Sequence, residues 1–329
     1  MTALAGCGHA GATSAATSAA SVAKWRQALH VAGVVDLAGR RADGRLVVAA
    51  NGRLALLRPS RRPVPFARGP GGYATDPGPE SYVALSPGQA VPGAGCRFPR
   101  DAVYALEPRG RPGVVAITHN GHARRFVDLG GAGLLNGIAF DSTGRFGHRL
   151  LVTAGQSDRT TVFAVDCRGR ARTITRVAPT VEGGVVVAPR SFGTFGGDLI
   201  APDELSGRLL AIAPSGRTRV VASSGIAHGR DIGVESSGFV PRGFGPGWSA
   251  YLADRGAQRN PHPGNNAILS LGSRALLRAG VRPGDLLVAG EGGARTVAVR
   301  CRTRCSVTRV ADGPATTHAE GHIVFTHVT

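Results

Sequence analysis

Apolar residues in this chain fall in short runs, separated by turns of Gly, Pro, Asp and Arg, and the arrangement recurs. Asn136-Gly137-Ile138-Ala139-Phe140 is matched by Glu182-Gly183-Gly184-Val185-Val186. Each leads to a Phe-Gly turn (Phe146-Gly147; Phe195-Gly196) and an apolar run (Leu150-Leu151-Val152; Leu199-Ile200-Ala201). A second run, a Gly-Arg turn (Gly169-Arg170; Gly216-Arg217) and a last run follow. Val240-Pro241-Arg242-Gly243-Phe244-Gly245 then repeats Ala188-Pro189-Arg190-Ser191-Phe192-Gly193, and Tyr251-Leu252-Ala253-Asp254 repeats Leu199-Ile200-Ala201-Pro202. A fourth copy is read through 275–277, 284–289, 296–301 and 306–310, and two more upstream, at 81–128 and 33–67.

Runs that alternate or stay briefly apolar suit strands, and four of them at a period of roughly 45 residues suit sheets stacked around an axis. The expectation is an all-β fold, a six-bladed β-propeller of four-stranded antiparallel blades, occupying 33–329 as one domain. The first blade lacks a clear opening strand, whereas Glu320-Gly321-His322-Ile323-Val324-Phe325 is a spare copy of the Glu182 strand. The C-terminal strand is therefore expected to complete blade one beside 46–49 and close the ring, removing an exposed edge. A seven-bladed ring and a pair of β-sandwiches are the alternatives. Helix is nearly absent; 22–31 is the one candidate and reads equally well as strand.

Composition agrees with many short strands, since 49 Gly and 21 Pro accompany only 5% aromatics. The net charge of +18 invites a nucleic-acid reading. It is set aside because Lys24 is the sole lysine and the arginines are dispersed at turns and strand edges, without basic runs or interleaved aromatics. Attraction to an anionic envelope remains a reasonable consequence.

Leu4-Ala5-Gly6-Cys7 is similar to the lipobox of bacterial lipoproteins, in which the cysteine carries diacylglycerol, and a Gly/Ala/Ser/Thr tract follows it. Residues 1–32 are read as a truncated signal and tether with lipidation at Cys7, placing a monomeric protein on the extracellular face of the membrane or outside the cell. The arginine-rich usage points to a GC-rich, actinobacterium-like source. A disordered tail with an incidental cysteine is the competing reading. Four cysteines remain. Cys301 and Cys305 flank a three-residue turn between alternating runs, within disulfide reach. Cys96 and Cys167 are the leftover pair.

In a propeller the innermost strands begin at one mouth of the central channel. That geometry gathers Asn136, Glu182, Asp231 and Glu320 at strand starts, with His228 and His318 just before two of them. The turns between second and third strands add Asp203, Glu204, Asp254, Glu291 and, on a longer loop, His262. Carboxylates about 5 Å apart repel by roughly 3 kcal/mol at an effective dielectric near 20, so a cation, an arginine or a shared proton must relieve them. Ca²⁺ is the first choice for such oxygens, with Zn²⁺ or Mn²⁺ where histidines join. Many propellers nevertheless place acids at blade turns only to accept backbone N–H bonds.

The stretch Asn136-Gly137-Ile138-Ala139-Phe140-Asp141-Ser142-Thr143-Gly144, together with Glu320-Gly321, resembles the gluconolactonase/regucalcin-like six-bladed propellers. The resemblance implies one divalent metal at the channel mouth, with Asn136 and Glu320 as ligands and Glu182 or Asp231 near the place of the family's aspartate. Two functions follow. One is a surface protein that binds a small molecule, glycan or protein ligand at the mouth, without nucleic acid. The other is a metal-dependent lactonase-like hydrolase in which Asp231 or Glu182 serves as general base.

Overall fold

The computed structural model describes residues 22–59, 61–76 and 80–327. Cys7 and the lipobox-like segment lie outside the described residues. The chain folds into a β-propeller: four four-stranded antiparallel sheets follow one another, and a nine-stranded sheet completes the molecule. The four sheets are Val34–Ala38 to Val64–Phe66, Val83–Leu85 to Ala123–Asp128, Leu134–Phe140 to Ala171–Ala178, and Val186–Val187 to Thr218–Ser223. Apolar clusters lie between neighbours. Val103 and Ala105 of the second sheet pack on Val47 and Ala49 of the first. Leu151 and Val162 of the third pack on Leu199 and Ile212 of the fourth.

The nine-stranded sheet is two antiparallel runs side by side. One contains Val234–Phe239, Leu286–Gly290, Thr296–Cys301 and Cys305–Asp312, edged by Ala23–Lys24; the other contains Ala319–His327, Trp248–Asp254, Ala267–Gly272 and Arg26–His30. They meet at a single parallel residue pair, Ser237 with His322. This arrangement corrects the expected closure. The C-terminal strand pairs with Trp248–Asp254, not with the strand at Leu46, and the first sheet has its own opening strand, Val34–Ala38. The two strands at 248–272 thus leave the run that precedes them and join the one that ends the chain. Hairpins form with whichever edge buries the alternating face, and the local repeat of Tyr251-Leu252-Ala253-Asp254 does not say which edge that is. Val324 still packs in one cluster with Leu46, Val48 and Tyr251, so the tail abuts the first sheet without pairing to it.

Two further expectations change. Residues 23–30, read as part of a tether, are strands in the nine-stranded sheet, and Trp25 is buried with its indole N–H donating to Thr296 Oγ1 at 2.8 Å. Residues 275–277 belong to the helix Ser273–Arg278, which buries Leu276 beneath the crossover. Both cysteine pairs form disulfides, Cys96–Cys167 and Cys301–Cys305.

Close packing around the axis explains the Glu-Gly repeats. A Cβ on Gly183 would lie 2.4 Å from the carbonyl oxygen of Glu235, and one on Gly321 would lie 2.3 Å from the Asp36 carboxylate. Gly321 also has φ +67°, a left-handed conformation that glycine adopts without steric cost.

Candidate functional site: an acidic channel mouth

Five of the innermost strands run from a polar end to an apolar end, whereas that of the first sheet, Val34–Ala38, carries its acid, Asp36, at its centre. Tyr82 precedes Val83–Leu85, Asn136 leads to Phe140, Glu182 leads to Val187, Glu235 leads to Phe239, and Glu320 leads to Phe325. Their polar ends converge. A β-bulge re-aims the side chain at this end in two strands, where pairing skips Asn136 between Leu135 and Gly137 and skips Glu235 between Val234 and Ser236. Glu235, not Asp231, is therefore the structural counterpart of Asn136. Asp231 lies four positions earlier, exposed on a turn with φ +68°.

At the centre, Tyr82 Oη lies 2.9 Å from Glu235 Oε1 and also hydrogen-bonds Glu320 Oε1. Arg255 pairs with Glu80 and reaches Glu320 Oε2 at 3.1 Å. His318 Nε2 sits 2.8 Å from Glu291 Oε1 and 3.6 Å from Glu320 Oε2. Glu235, Glu291, His318 and Glu320 are all at most 5% exposed. A phenol has one proton to donate, so one of its two carboxyl partners must supply another. Burial, reinforced by the charge of Glu320, pushes Glu235 well up, which makes it the protonated partner. Burial would raise Glu320 too, but the hydrogen bonds from His318 and Glu235 and the charge of Arg255 outweigh it and hold Glu320 well below the usual range. Burial opposes the charging of His318, yet its bonds to Glu291 and Glu320 prevail and raise it to about 10.

Outside this centre lies a pocket of about 270 Å³, lined by Glu80, Glu182, Glu204, Asp231, Glu235 and Glu291 among others. Burial and the charges of Glu80 and Glu320 push Glu182 up to about 8. Burial also raises Glu204 to about 7, although the Asp231 N–H donates to its carboxylate. Glu291 Oε2 and His318 Nδ1 are buried without a hydrogen-bond partner among the described residues. One donor atom from each of Glu291, His318 and Glu320 lies within 4.8 Å of the others, the spacing a bound metal ion needs.

The expected site residues divide accordingly. Glu182, Glu291, His318 and Glu320 share one mouth, and Asp231 reaches its rim. Asn136 is sealed into the wall: its amide N–H donates to Val181 O at 2.7 Å and its oxygen accepts from Thr153 Oγ1 at 2.9 Å. Asp254 is fully buried and accepts from the backbone N–H groups of Asn265 and His318 and from the Asn265 amide. It is a turn-forming acid rather than a mouth residue. His262 is bound to Ala315 O at 2.7 Å beside a different pocket, with Gly292, and His228 is exposed near Gly207. Tyr82, Arg255, Glu80 and Glu235 are the participants the repeat alignment missed. Glu235-Ser236-Ser237 carries no Glu-Gly or Asn-Gly pair, and Arg255 comes from the strand pair that crosses between runs.

No protein-family model matches this sequence, and no curated protein matches it either. Among solved structures, the calcium-binding protein regucalcin from Agrobacterium tumefaciens is similar in fold, with TM-score 0.53 and 11% identity, covering 94% of this chain and 85% of that one. Virginiamycin B lyase from Staphylococcus aureus matches at TM-score 0.47 and 10% identity, covering 87% of this chain and 74% of that one. A gluconolactonase from Xanthomonas campestris matches at TM-score 0.41 and 13% identity, covering 70% and 69%. At 11% identity the likeness to regucalcin is one of fold alone.

Proposed function

We propose that this chain is an exported six-bladed propeller that binds a divalent cation in its acidic channel mouth, through Glu291, His318 and Glu320, and a small polar ligand in the pocket outside. The count of six rests on reading each run of the nine-stranded sheet as one blade. Six apolar clusters in cyclic order support it, the last two packing one run on the other and the second run on the first sheet. Two disulfides are consistent with an extracellular protein, and no helix among the described residues is long and apolar enough to cross a membrane. Anchoring through Cys7 completes the proposal.

The observation that carries the binding reading is the buried Glu291, His318 and Glu320 donor set, whose Glu291 Oε2 has no hydrogen-bond partner among the described residues. The ligand set implied by the gluconolactonase/regucalcin resemblance fits less well, because the Asn136 amide is spent on the wall and Asp231 is exposed. Two carboxylates and an imidazole favour Zn²⁺ or Mn²⁺ over Ca²⁺, which prefers oxygen donors alone. In the test, chelator-dialysed protein is titrated calorimetrically with ZnCl₂, MnCl₂ and CaCl₂. One equivalent of Zn²⁺ or Mn²⁺ is expected to bind, weakened at least a hundredfold by Glu291→Gln and little by Asp231→Asn. Absence of saturable binding by all three ions overturns the reading.

The second reading, a metal-dependent lactonase-like hydrolase, is favoured by one observation. Glu182 is raised to about 8 at the pocket wall, so it exchanges a proton near neutral pH as a general acid or base must. A bound cation would polarise a carbonyl or acidify water. Turnover of a lactone panel that requires both metal and Glu182 supports it; metal binding without turnover leaves the binding protein.

A further inference from the structure

The far end of the channel takes no part in the mouth chemistry. His322 lies across the axis, with Nδ1 3.0 Å from both Asp36 carboxylate oxygens and Nε2 3.1 Å from Val185 O. Asp36 also accepts the backbone N–H groups of Leu37, Val83 and His322. Beyond this crossing the apolar ends of the inner strands line an open-mouthed cavity of about 420 Å³, with His322 in its wall. That volume lies in the range of roughly 300–1,000 Å³ occupied by ligand sites. Leu85, Phe140, Val187, Phe239 and Trp248 line it and are only half-buried, so the cavity presents wet apolar surface.

Its rim is basic. Arg40 is exposed and places its guanidinium carbon 5.9 Å from the Trp248 ring centroid. A groove of about 570 Å³ continues from Arg40 and Leu85 past Arg100. The groove is lined by Arg40, Arg41 and Arg100 against one acid, Asp101, which accepts from the Ala42 N–H, while Asp43 nearby pairs with Arg45 and Arg41. Neither Arg40 nor Arg100 has a carboxylate partner among the described residues. An apolar recess whose entrance is net positive, with two guanidinium groups not paired to a carboxylate, is complementary to a molecule with an apolar tail and an anionic head. Its walls are inner strands, so a single chain enters end-on, whereas a bilayer surface has no such shape.

We propose that this cavity binds a single-chain amphipathic anion such as a medium-chain fatty acid, its tail in the recess and its carboxylate at Arg40 and Arg100. The site is separate from the acidic mouth and does not depend on the reading given to that mouth.

The unmodified protein is titrated calorimetrically with octanoate, decanoate and dodecanoate below their micelle concentrations, with decyltrimethylammonium and decanol as controls. One-to-one binding is expected, strengthening by up to about fourfold per methylene, the equivalent of ~0.8 kcal/mol. The cationic analogue is expected to bind at least tenfold more weakly than decanoate. The chain has two tryptophans; Trp25 is buried and does not line the cavity, whereas Trp248 lines it and is half-buried, so a change of emission on binding reports Trp248. Arg40→Glu is expected to abolish the preference for the anion while leaving decanol binding intact. Leu85→Trp and Val187→Trp, each filling the cavity from a different strand, are expected to remove both ligands. The proposal is overturned by absent decanoate binding, by equal binding of the cation, or by unchanged binding in both filled variants once circular dichroism shows them folded. Binding to anionic vesicles without binding of monomeric decanoate overturns it equally.

Discussion

Tyr82 has one proton to give and two buried carboxyl groups to satisfy, and that constraint organises the mouth. Glu235 keeps its proton because it is buried beside Glu320, and Glu320 stays ionised because Arg255 and His318 face it. Removing the bridging hydroxyl in Tyr82→Phe leaves two buried carboxyl oxygens without that partner. It is expected to cost about 1–3 kcal/mol in urea denaturation. The same groups set the pH dependence of the metal-free protein. Glu182 and Glu204 titrate near 8 and 7 when folded against an ordinary 4.5, so the folded state binds more protons between those limits and stability falls as pH rises through them. His318, raised from 6.5 to about 10, contributes stability that is full below 6.5 and is lost as pH climbs through 10. The melting temperature is therefore expected to decline steadily from about pH 5 to pH 10. Glu182→Gln is expected to flatten the limb below 8 and leave the one above it; an unchanged lower limb would show that Glu182 is not the group responsible.

At the level of elements, acids and arginines mostly serve the turns and strand edges. Asp141 accepts from the backbone of Thr143, Gly144, Phe146 and His148, which explains the Asp-Ser-Thr-Gly turn independently of any ligand. Arg300 with Asp285 and Arg219 with Asp198 similarly tie third and fourth strands to neighbouring turns, so these cations are partnered locally. The two disulfides differ in what they restrain. Cys96–Cys167 spans 71 residues and joins a short hairpin, Ala90–Val91 paired with Cys96–Arg97 between two strands of the second sheet, to the third sheet, whereas Cys301–Cys305 spans 4 within one hairpin. Chain entropy predicts losses of about 4 and about 2 kcal/mol on their removal. Chemical denaturation of the paired Cys→Ser variants checks the order; a larger loss for Cys301–Cys305 would contradict it. The bulges at Asn136 and Glu235 were not legible in the sequence, since skipping one residue in the ladder leaves no compositional mark. That is why Asp231 stood in for Glu235.

Across the described residues, the last strand and an early one, Arg26–His30, meet in one run of strands. Ala319–His327 is its innermost strand and Arg26–His30 its outermost, paired with Ala267–Gly272. Deleting residues 1–31 is expected to lower the melting temperature and to expose the amides of Ala267–Gly272 to hydrogen exchange. Unchanged protection there would show that the N-terminal strand adds nothing to closure. The repeat pattern, the all-β class, the disulfide at Cys301 and Cys305, and the gathering of Glu182, Glu291, His318 and Glu320 at one mouth could be read along the chain, because each follows from local alternation and a fixed period. Tertiary structure alone decided the exchange of strands between the two final runs, the sealing of Asn136 and Asp254 into the wall, and the entry of Arg255 and Tyr82 into the mouth. Pairing partners, proton sharing and burial depend on which distant segments meet, and local pattern carries no record of that choice.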